Sequence, residues 1–117
     1  MTHSITELSQ WAAELAHSGK AVIVEGPKDR EALSCLGIKR IHMLHKKPVY
    51  ELIEEVAACS KKVVILTDLD KEGKKLYHRI SAGLQMHGVE VDNKFREWLF
   101  LNTRFRQIEG IRNVQPR

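Results

Sequence analysis

Three carboxylates in this chain follow short apolar stretches, at points where the chain should leave a buried sheet. Asp68 and Asp70 come after residues 63–66, and Glu25 comes after residues 21–24. Side chains two positions apart on an extended backbone point the same way, so Asp68 and Asp70 can offer oxygens to one hard cation. Ligands of open α/β sheets bind beyond the carboxyl ends of the strands, which is where these acids fall. The pattern predicts a Mg²⁺ site, with Mn²⁺ as the alternative ion.

Basic and small residues around these acids would suit the phosphate groups of a nucleic acid. The free N–H groups of a helix that starts after Asp70 favour an anion, and lysines stand beside them. The candidates for phosphate contact are Gly26, Lys28, Lys71, Gly73, Lys74, Arg104 and Arg106. Asp29 and Glu72 are candidates for a supporting role, with Glu72 as an outer-sphere partner of the metal. Two plainer interpretations stay open: the acids could cap helices, and the lysines could be ordinary exposed helix residues.

A regular alternation of strands and helices is predicted to position these residues. Ser4 suits the cap of the first helix, since Glu7 stands three residues later. The predicted helices cover 5–17, 29–36, 48–59, 73–87 and 93–101, and the predicted strands cover 20–24, 40–44, 62–67, 89–91 and 104–109. Such alternation with short loops predicts an α/β fold, built on a mainly parallel sheet of about four strands with helices on both faces.

The composition is that of a soluble single-domain protein. The 117 residues suffice for one core, and 43% of them are hydrophobic and 29% charged. No apolar run approaches the ~18 residues that a membrane span needs, and residues 1–4 lack the pattern of a signal peptide. Cys35 and Cys59 fall far apart in predicted helices, which favours two reduced, packed cysteines in a cytoplasmic protein.

Positive charge is concentrated in the C-terminal segment. Residues 94–117 hold six basic side chains against two acidic ones, whereas residues 1–93 hold thirteen of each, so the segment carries the whole net charge of +4. Its arginines are accompanied by the aromatic residues Phe95, Trp98, Phe100 and Phe105. Arginines mixed with aromatics suit a nucleic-acid backbone or an unstacked base. A docked terminal helix with a solvated basic face is the alternative.

The two acidic strand ends together resemble a Toprim domain. Residues 22–26, Val-Ile-Val-Glu-Gly, and residues 67–73, Thr-Asp-Leu-Asp-Lys-Glu-Gly, match the Glu-Gly and Asp-x-Asp motifs of that family. Its members have a Rossmann-like fold and include primases, topoisomerases, overcoming-lysogenization-defect nucleases, recombination mediators and the ribonuclease that matures 5S ribosomal RNA. The resemblance covers residues 20–110, which leaves 1–19 as a helix packed on the domain and 111–117 as a C-terminal tail.

The resemblance implies roles for individual residues. Asp68 and Asp70 match the pair that coordinates Mg²⁺. Glu25 matches the glutamate thought to act as general acid or base and, in some members, to bind metal. Asp29 stands where several Toprim proteins carry an aspartate, and Gly73 matches the glycine that closes the Asp-x-Asp loop.

The same resemblance leads to two hypotheses about function. The first is a Mg²⁺-dependent nuclease, similar to the 5S ribosomal RNA ribonuclease, in which water attacks a phosphodiester at Glu25, Asp68 and Asp70. Leu69 departs from the proline often found in that ribonuclease and in primases, which blurs the subfamily. The second is a non-catalytic module that binds nucleic acid or docks on a partner in DNA repair, replication or RNA processing. Either hypothesis makes RNA or DNA the partner, involves no membrane, and is compatible with a homodimer that builds a full groove.

Overall fold

The computed structural model of the chain describes residues 8–114. Its strands are β1 (Ala21–Val24), β2 (Ile41–Met43), β3 (Lys62–Ile65) and β4 (Glu90–Val91). They form one sheet in the order β2-β1-β3-β4, with every neighbouring pair parallel. The helices are α1 (Leu8–His17), α2 (Pro27–Ser34), α3 (Val49–Cys59), α4 (Lys71–Met86), α5 (Lys94–Asn102) and a 3₁₀ helix at Ile108–Val114. The predicted α/β fold with a four-stranded parallel sheet is confirmed.

Alternate side chains of the two central strands supply two separate cores. All of β1 is fully buried, as are Val63–Ile65 of β3. One face, which includes Val22 and Val64, packs against α1, α2, α5 and the 3₁₀ helix. The other face, which includes Ile23 and Ile65, packs against α3 and α4. A strand buried on both faces must be apolar at every position, which explains the continuous β-branched runs in the sequence.

The strand register brings the carboxyl ends of β1 and β3 side by side. Ala21 pairs with Val63 and Ile23 pairs with Ile65. Just beyond the paired residues, the N–H of Leu66 donates to the carbonyl oxygen of Ile23 at 2.8 Å. The residues after the two strands therefore leave the sheet at one edge, which is the edge that carries the candidate acids.

The strand predicted over 104–109 is wrong. Residues 103–107 form an irregular loop with bends, and the 3₁₀ helix starts at Ile108. Phe105, Ile108 and Ile111 stand three residues apart, which is the period of a 3₁₀ helix and not of a strand. Ile108 and Ile111 are fully buried in the first core. Packing on that core therefore determines the conformation of this segment.

Two helices begin two residues earlier than predicted, and both starts lie beside the candidate site. α2 begins at Pro27, whose fixed φ and missing N–H suit the first position of a helix. α4 begins at Lys71, because Asp70 caps it. Ser4, the predicted cap of α1, lies outside the described residues. Within residues 8–114, no helix is both long and apolar enough to cross a bilayer.

The two cysteines are not packed in the core as predicted. Cys35 and Cys59 are both exposed, free thiols. Cys35 follows the last residue of α2, and Cys59 is the last residue of α3. Both thiols are therefore accessible from solvent at the carboxyl end of a helix.

Candidate active site

Glu25 and Asp68 lie 43 residues apart in sequence and meet at the carboxyl edge of the sheet. Oε2 of Glu25 accepts a hydrogen bond from the N–H of Asp68 at 2.8 Å. Both side chains are half-buried. The contact ties the turn after β1 to the loop after β3, so the two strand ends are held as one unit.

The acids of the loop after β3 also hold backbone groups. Oδ1 of Asp68 accepts from the N–H of Ile108 at 2.8 Å. Oδ1 of Asp70 accepts from the N–H of Gly73, also at 2.8 Å, and so caps α4. These contacts leave the Oδ2 atoms of Asp68 and Asp70, together with Oε1 of Glu25, as the oxygens that could face an ion.

Burial and mutual repulsion raise the pKa of several acids in the site. Burial raises the pKa of Glu25 and of Asp68, and neighbouring carboxylates add to the effect. The pKa of Asp29 is raised to about 6, first by burial and then by the negative charge of Asp68. Glu109, in the 3₁₀ helix, adds negative charge that acts on both Asp29 and Asp68. The site concentrates negative charge, and a bound cation would relieve part of the repulsion.

The first turn of α4 lies so close to the Asp68 loop that only glycine fits at position 73. A Cβ on Gly73 would be 2.0 Å from the carbonyl oxygen of Asp68. Thr67 is fully buried and donates its hydroxyl hydrogen to the carbonyl of Gly73 at 2.7 Å. Together with the Asp70 cap, these contacts fix the start of α4 against the loop that carries two of the acids.

Arg96 of α5 holds the same loop. Its Nη2 atom donates to the carbonyl oxygen of Asp68 at 2.9 Å. The guanidinium carbon lies 4.8 Å from the ring centroid of Tyr77 and 5.1 Å from that of Phe100. The positive charge of Arg96 opposes the rise in the pKa of Glu25 and of Asp68. Arg96 thus positions the loop and offsets part of its charge.

Asp68 and Asp70 are the residues that could hold a Mg²⁺ ion that keeps most of its water ligands. Mg²⁺ is usually held in proteins by one or two carboxylates and by water. Asp68 and Asp70 each have one carboxylate oxygen outside the backbone contacts described above. Across residues 8–114, no three His, Cys, Asp or Glu side chains are arranged as a ligand set for a metal. A Mg²⁺ ion here would therefore have at most one or two protein ligands.

The residues predicted to contact phosphate are of two kinds. The two glycines use their N–H groups in hydrogen bonds within the protein, and the lysines and arginines are exposed. The N–H of Gly26 donates to Oδ2 of Asp29 at 3.1 Å, and the N–H of Gly73 donates to Asp70, so both amides are used within the protein. The exposed cations are Lys28, Lys71, Lys74, Arg104 and Arg106. The three lysines belong to the first turns of α2 and α4, which start at the edge of the sheet that carries the acids.

The loop at 103–107 brings the basic C-terminal segment to the acidic loop. The N–H of Leu69 donates to the carbonyl oxygen of Arg106 at 2.8 Å. The backbone at Arg106 is therefore a direct neighbour of the Asp-x-Asp loop. Glu72 is exposed, and its carboxylate lies 3.9 Å from Nζ of Lys75 in the same helix.

Sequence reasoning missed two charged residues of this site, Arg96 and Glu109. They follow Asp68 by 28 and 41 positions and belong to elements that pack on the sheet face rather than to strand ends. In the sequence, Arg96 is distinguished only as one of the six basic residues of the C-terminal segment. The aromatic residues around it were the one feature that could have indicated a partly buried arginine.

Known proteins resemble this chain in sequence and in fold. The model of the Toprim domain family matches residues 20–97. A UPF0292 protein of Methanocaldococcus jannaschii is 34% identical over 98 residues, which cover 82% of this chain and 73% of that protein. A UPF0292 protein of Pyrococcus abyssi is 36% identical over 95 residues, which cover 80% and 70% of the two chains. A protein of Aquifex aeolicus of known structure has a TM-score of 0.81 and 30% identity, covering 88% of this chain and 96% of that one.

Proposed function

This chain belongs to the Toprim domain family, and we propose that it is a Mg²⁺-dependent nuclease that hydrolyses phosphodiester bonds in RNA or DNA. The observation that carries the proposal is the contact between Glu25 and the Asp68 loop at the carboxyl edge of the sheet. Acids from two separate strands meet there, and exposed lysines begin two helices at the same edge. Such an edge can bind a cation and a phosphate together.

In the proposed reaction, a water molecule attacks the phosphorus atom, and Glu25 accepts the proton that the water loses. The P–O bond to the departing oxygen breaks as the new P–O bond forms, and the departing oxygen takes a proton from solvent water. Mg²⁺ held by Asp68 and Asp70 would neutralise charge that develops on the phosphate. Oε2 of Glu25 is held by the backbone of Asp68, which leaves Oε1 to take the proton. In the ion-free site, burial raises the pKa of Glu25, which favours its use as a base. Arg96 keeps the acidic loop in place during the step.

The exposed cations of the site would bind the phosphate backbone of the substrate. Lys28, Lys71 and Lys74 lie at helix amino ends, whose dipoles also favour anions. Arg104 and Arg106 extend the positive surface past the Asp-x-Asp loop. On this proposal the strand crosses the carboxyl edge of the sheet, the protein acts in the cytoplasm, and a homodimer would lengthen the groove.

A non-catalytic Toprim module is the second candidate, and the hydrogen bonds of the acids favour it. Asp29, Asp68 and Asp70 each accept a hydrogen bond from a backbone N–H, as carboxylates with a structural role do. On this alternative the carboxylates shape the loops. The basic surface would then dock the chain on nucleic acid, or on a partner in DNA repair, replication or RNA processing.

Cleavage of a labelled substrate panel decides between the two candidates. The panel contains structured ribosomal RNA, single-stranded DNA and duplex DNA, each incubated with Mg²⁺ or Mn²⁺. We expect metal-dependent cleavage by the natural chain and at least about a hundredfold loss in Glu25→Gln, since a glutamine can hold the Asp68 N–H but cannot accept the proton. Binding without cleavage across the whole panel would favour the module.

Asp68→Asn tests the metal separately from the base. An asparagine Oδ1 can still accept from the N–H of Ile108, so the fold should persist while Mg²⁺ affinity falls. Mg²⁺ titration by calorimetry measures the affinity, and circular dichroism checks the fold. A folded variant that binds Mg²⁺ as tightly as the natural chain would contradict the assignment of Asp68 as a ligand.

A further inference from the structure

A second cluster of side chains, made of a nucleophile and two titratable groups, lies beside the edge strand β2. It consists of His42 from β2 and of Glu55 and Cys59 from α3. β2 stands at the end of the strand order and pairs with β1 alone. Cys59 is an exposed residue with a free thiol.

These three side chains are connected in the order carboxylate, imidazole, thiol. Nδ1 of His42 is 2.6 Å from Oε2 of Glu55, and Nε2 of the same ring is 4.0 Å from Sγ of Cys59. Hydrogen bonds from Lys47, at 2.7 Å, and from His42 lower the pKa of Glu55. An ionised Glu55 favours the tautomer in which Nδ1 carries the hydrogen, which leaves the Nε2 lone pair for the thiol. A nucleophile, a base and a group that orients the base form the arrangement that activates a thiol.

Other polar groups also lie beside the sulfur of Cys59. Sγ also lies 3.5 Å from the carbonyl oxygen of Glu55, which could hold the thiol hydrogen within the helix. Arg40 donates to Oγ of Ser60 at 3.1 Å, and that oxygen is 3.8 Å from Sγ.

We propose that Cys59 is a reactive thiol, a modification site that exchanges with low-molecular-weight disulfides. Nε2 of His42 takes the proton from Sγ, and the thiolate attacks one sulfur of the disulfide. A bond forms between Sγ and that sulfur while the original sulfur–sulfur bond breaks. The departing thiolate takes the proton from His42. The products are a mixed disulfide on Cys59 and one small thiol, with no net oxidation.

Cys35 provides a matched control within the same chain. It is exposed and free, and it follows the carboxyl end of α2, so it shares the accessibility and the helix dipole of Cys59. Within residues 8–114, no histidine ring hydrogen-bonds to its sulfur. The single-cysteine proteins Cys35→Ser and Cys59→Ser isolate the two thiols for comparison.

Each single-cysteine protein is treated at neutral pH with dithiobis(nitrobenzoate) and, separately, with oxidised glutathione. Release of the small thiol gives the rate, and intact mass identifies the mixed disulfide. We expect Cys59 to react about tenfold faster than Cys35 with both probes, because Nε2 of His42 can take the proton from Sγ as the thiol attacks. A rate ratio near one with either probe would overturn the proposal.

Two further variants test whether the rate depends on the proposed base. In the Cys35→Ser background, His42→Gln should lower the rate to that of Cys35, and Glu55→Gln should lower it part of the way. Circular dichroism checks the folding of both proteins. Glu55 is exposed, so its variant decides the test if His42→Gln does not fold. If His42→Gln folds and its rate is unchanged, the ring does not activate the thiol. If His42→Gln does not fold, an unchanged rate in Glu55→Gln leads to the same conclusion.

Discussion

Asp29 is a buried acid whose ionisation opposes folding. Its pKa rises from 3.8 to about 6, because burial removes water and Asp68 adds negative charge. Between about pH 4 and pH 6 the folded chain binds this proton more tightly than the unfolded chain does. The free energy of unfolding should therefore fall as the pH rises through this window and then level off. At neutral pH, the free energy of unfolding has lost the whole contribution of this proton.

Asp29→Asn removes that cost and should stabilise the protein. The asparagine Oδ1 can still accept from the N–H of Gly26, but the side chain cannot ionise. We expect the free energy of unfolding at neutral pH to rise by about 1–3 kcal/mol, with the gain shrinking to nothing near pH 4. Urea unfolding of both proteins at several pH values measures the difference. A gain that does not change with pH would contradict this account.

Arg96→Met removes the cation that holds the acidic loop. Methionine can occupy the space between Tyr77 and Phe100, but it leaves the carbonyl oxygen of Asp68 without its donor. We expect the free energy of unfolding to fall by about 1–3 kcal/mol, and Arg96→Lys to lose less because the charge remains. Urea unfolding at neutral pH measures both. If the methionine variant is as stable as the natural chain, the contact contributes nothing to the fold.

Elements with a local sequence pattern were predictable, whereas elements positioned by distant contacts were not. β1 and β3 are continuous apolar runs, and the parallel-sheet rule then placed Glu25 and Asp68 at one edge. The 3₁₀ helix was missed because Ile108 is fixed by burial in the first core and by its bond to Asp68, 40 residues away. Contacts at that separation leave no local pattern in the sequence, and Glu109 was missed for the same reason.

Gly73→Ala tests the close approach of α4 to the acidic loop. The added Cβ would lie 2.0 Å from the carbonyl oxygen of Asp68, so the loop or the helix must move. We expect a loss of more than about 2 kcal/mol in the free energy of unfolding, together with weaker Mg²⁺ binding. Gly26→Ala is the control, because a Cβ there meets nothing within 4 Å and its φ of −153° is ordinary extended backbone. Comparable losses in the two variants would contradict the steric explanation.

For the molecule as a whole, the C-terminal segment serves both the core and the charged surface. Ile108 and Ile111 are fully buried, while Arg104 and Arg106 are exposed beside the acidic loop. Deleting the segment would therefore open the first core as well as remove charge. Point substitutions of the arginines separate the two contributions.

Arg104→Gln and Arg106→Gln should each weaken nucleic-acid binding in a salt-dependent way. Each phosphate contact that is lost lowers the slope of log affinity against log salt by about 0.7–0.9. Lys39→Gln is the control. Lys39 is exposed just before β2, so it lies at the amino ends of the parallel strands, away from the acids at their carboxyl ends. Binding of labelled single-stranded DNA at several salt concentrations gives the slopes. Equal slopes for all three variants would show that the loop arginines do not contact phosphate.

The bond between the N–H of Ile108 and Asp68 also has a consequence for biosynthesis on the ribosome. The two acidic strand ends are translated before residue 108, but they take up their final geometry only once the 3₁₀ helix has docked. Parallel pairing of Ala21 with Val63 already closes a long loop, which is a slow step in folding. The final geometry of the two acidic strand ends therefore forms late in folding, well after both acidic motifs have been translated.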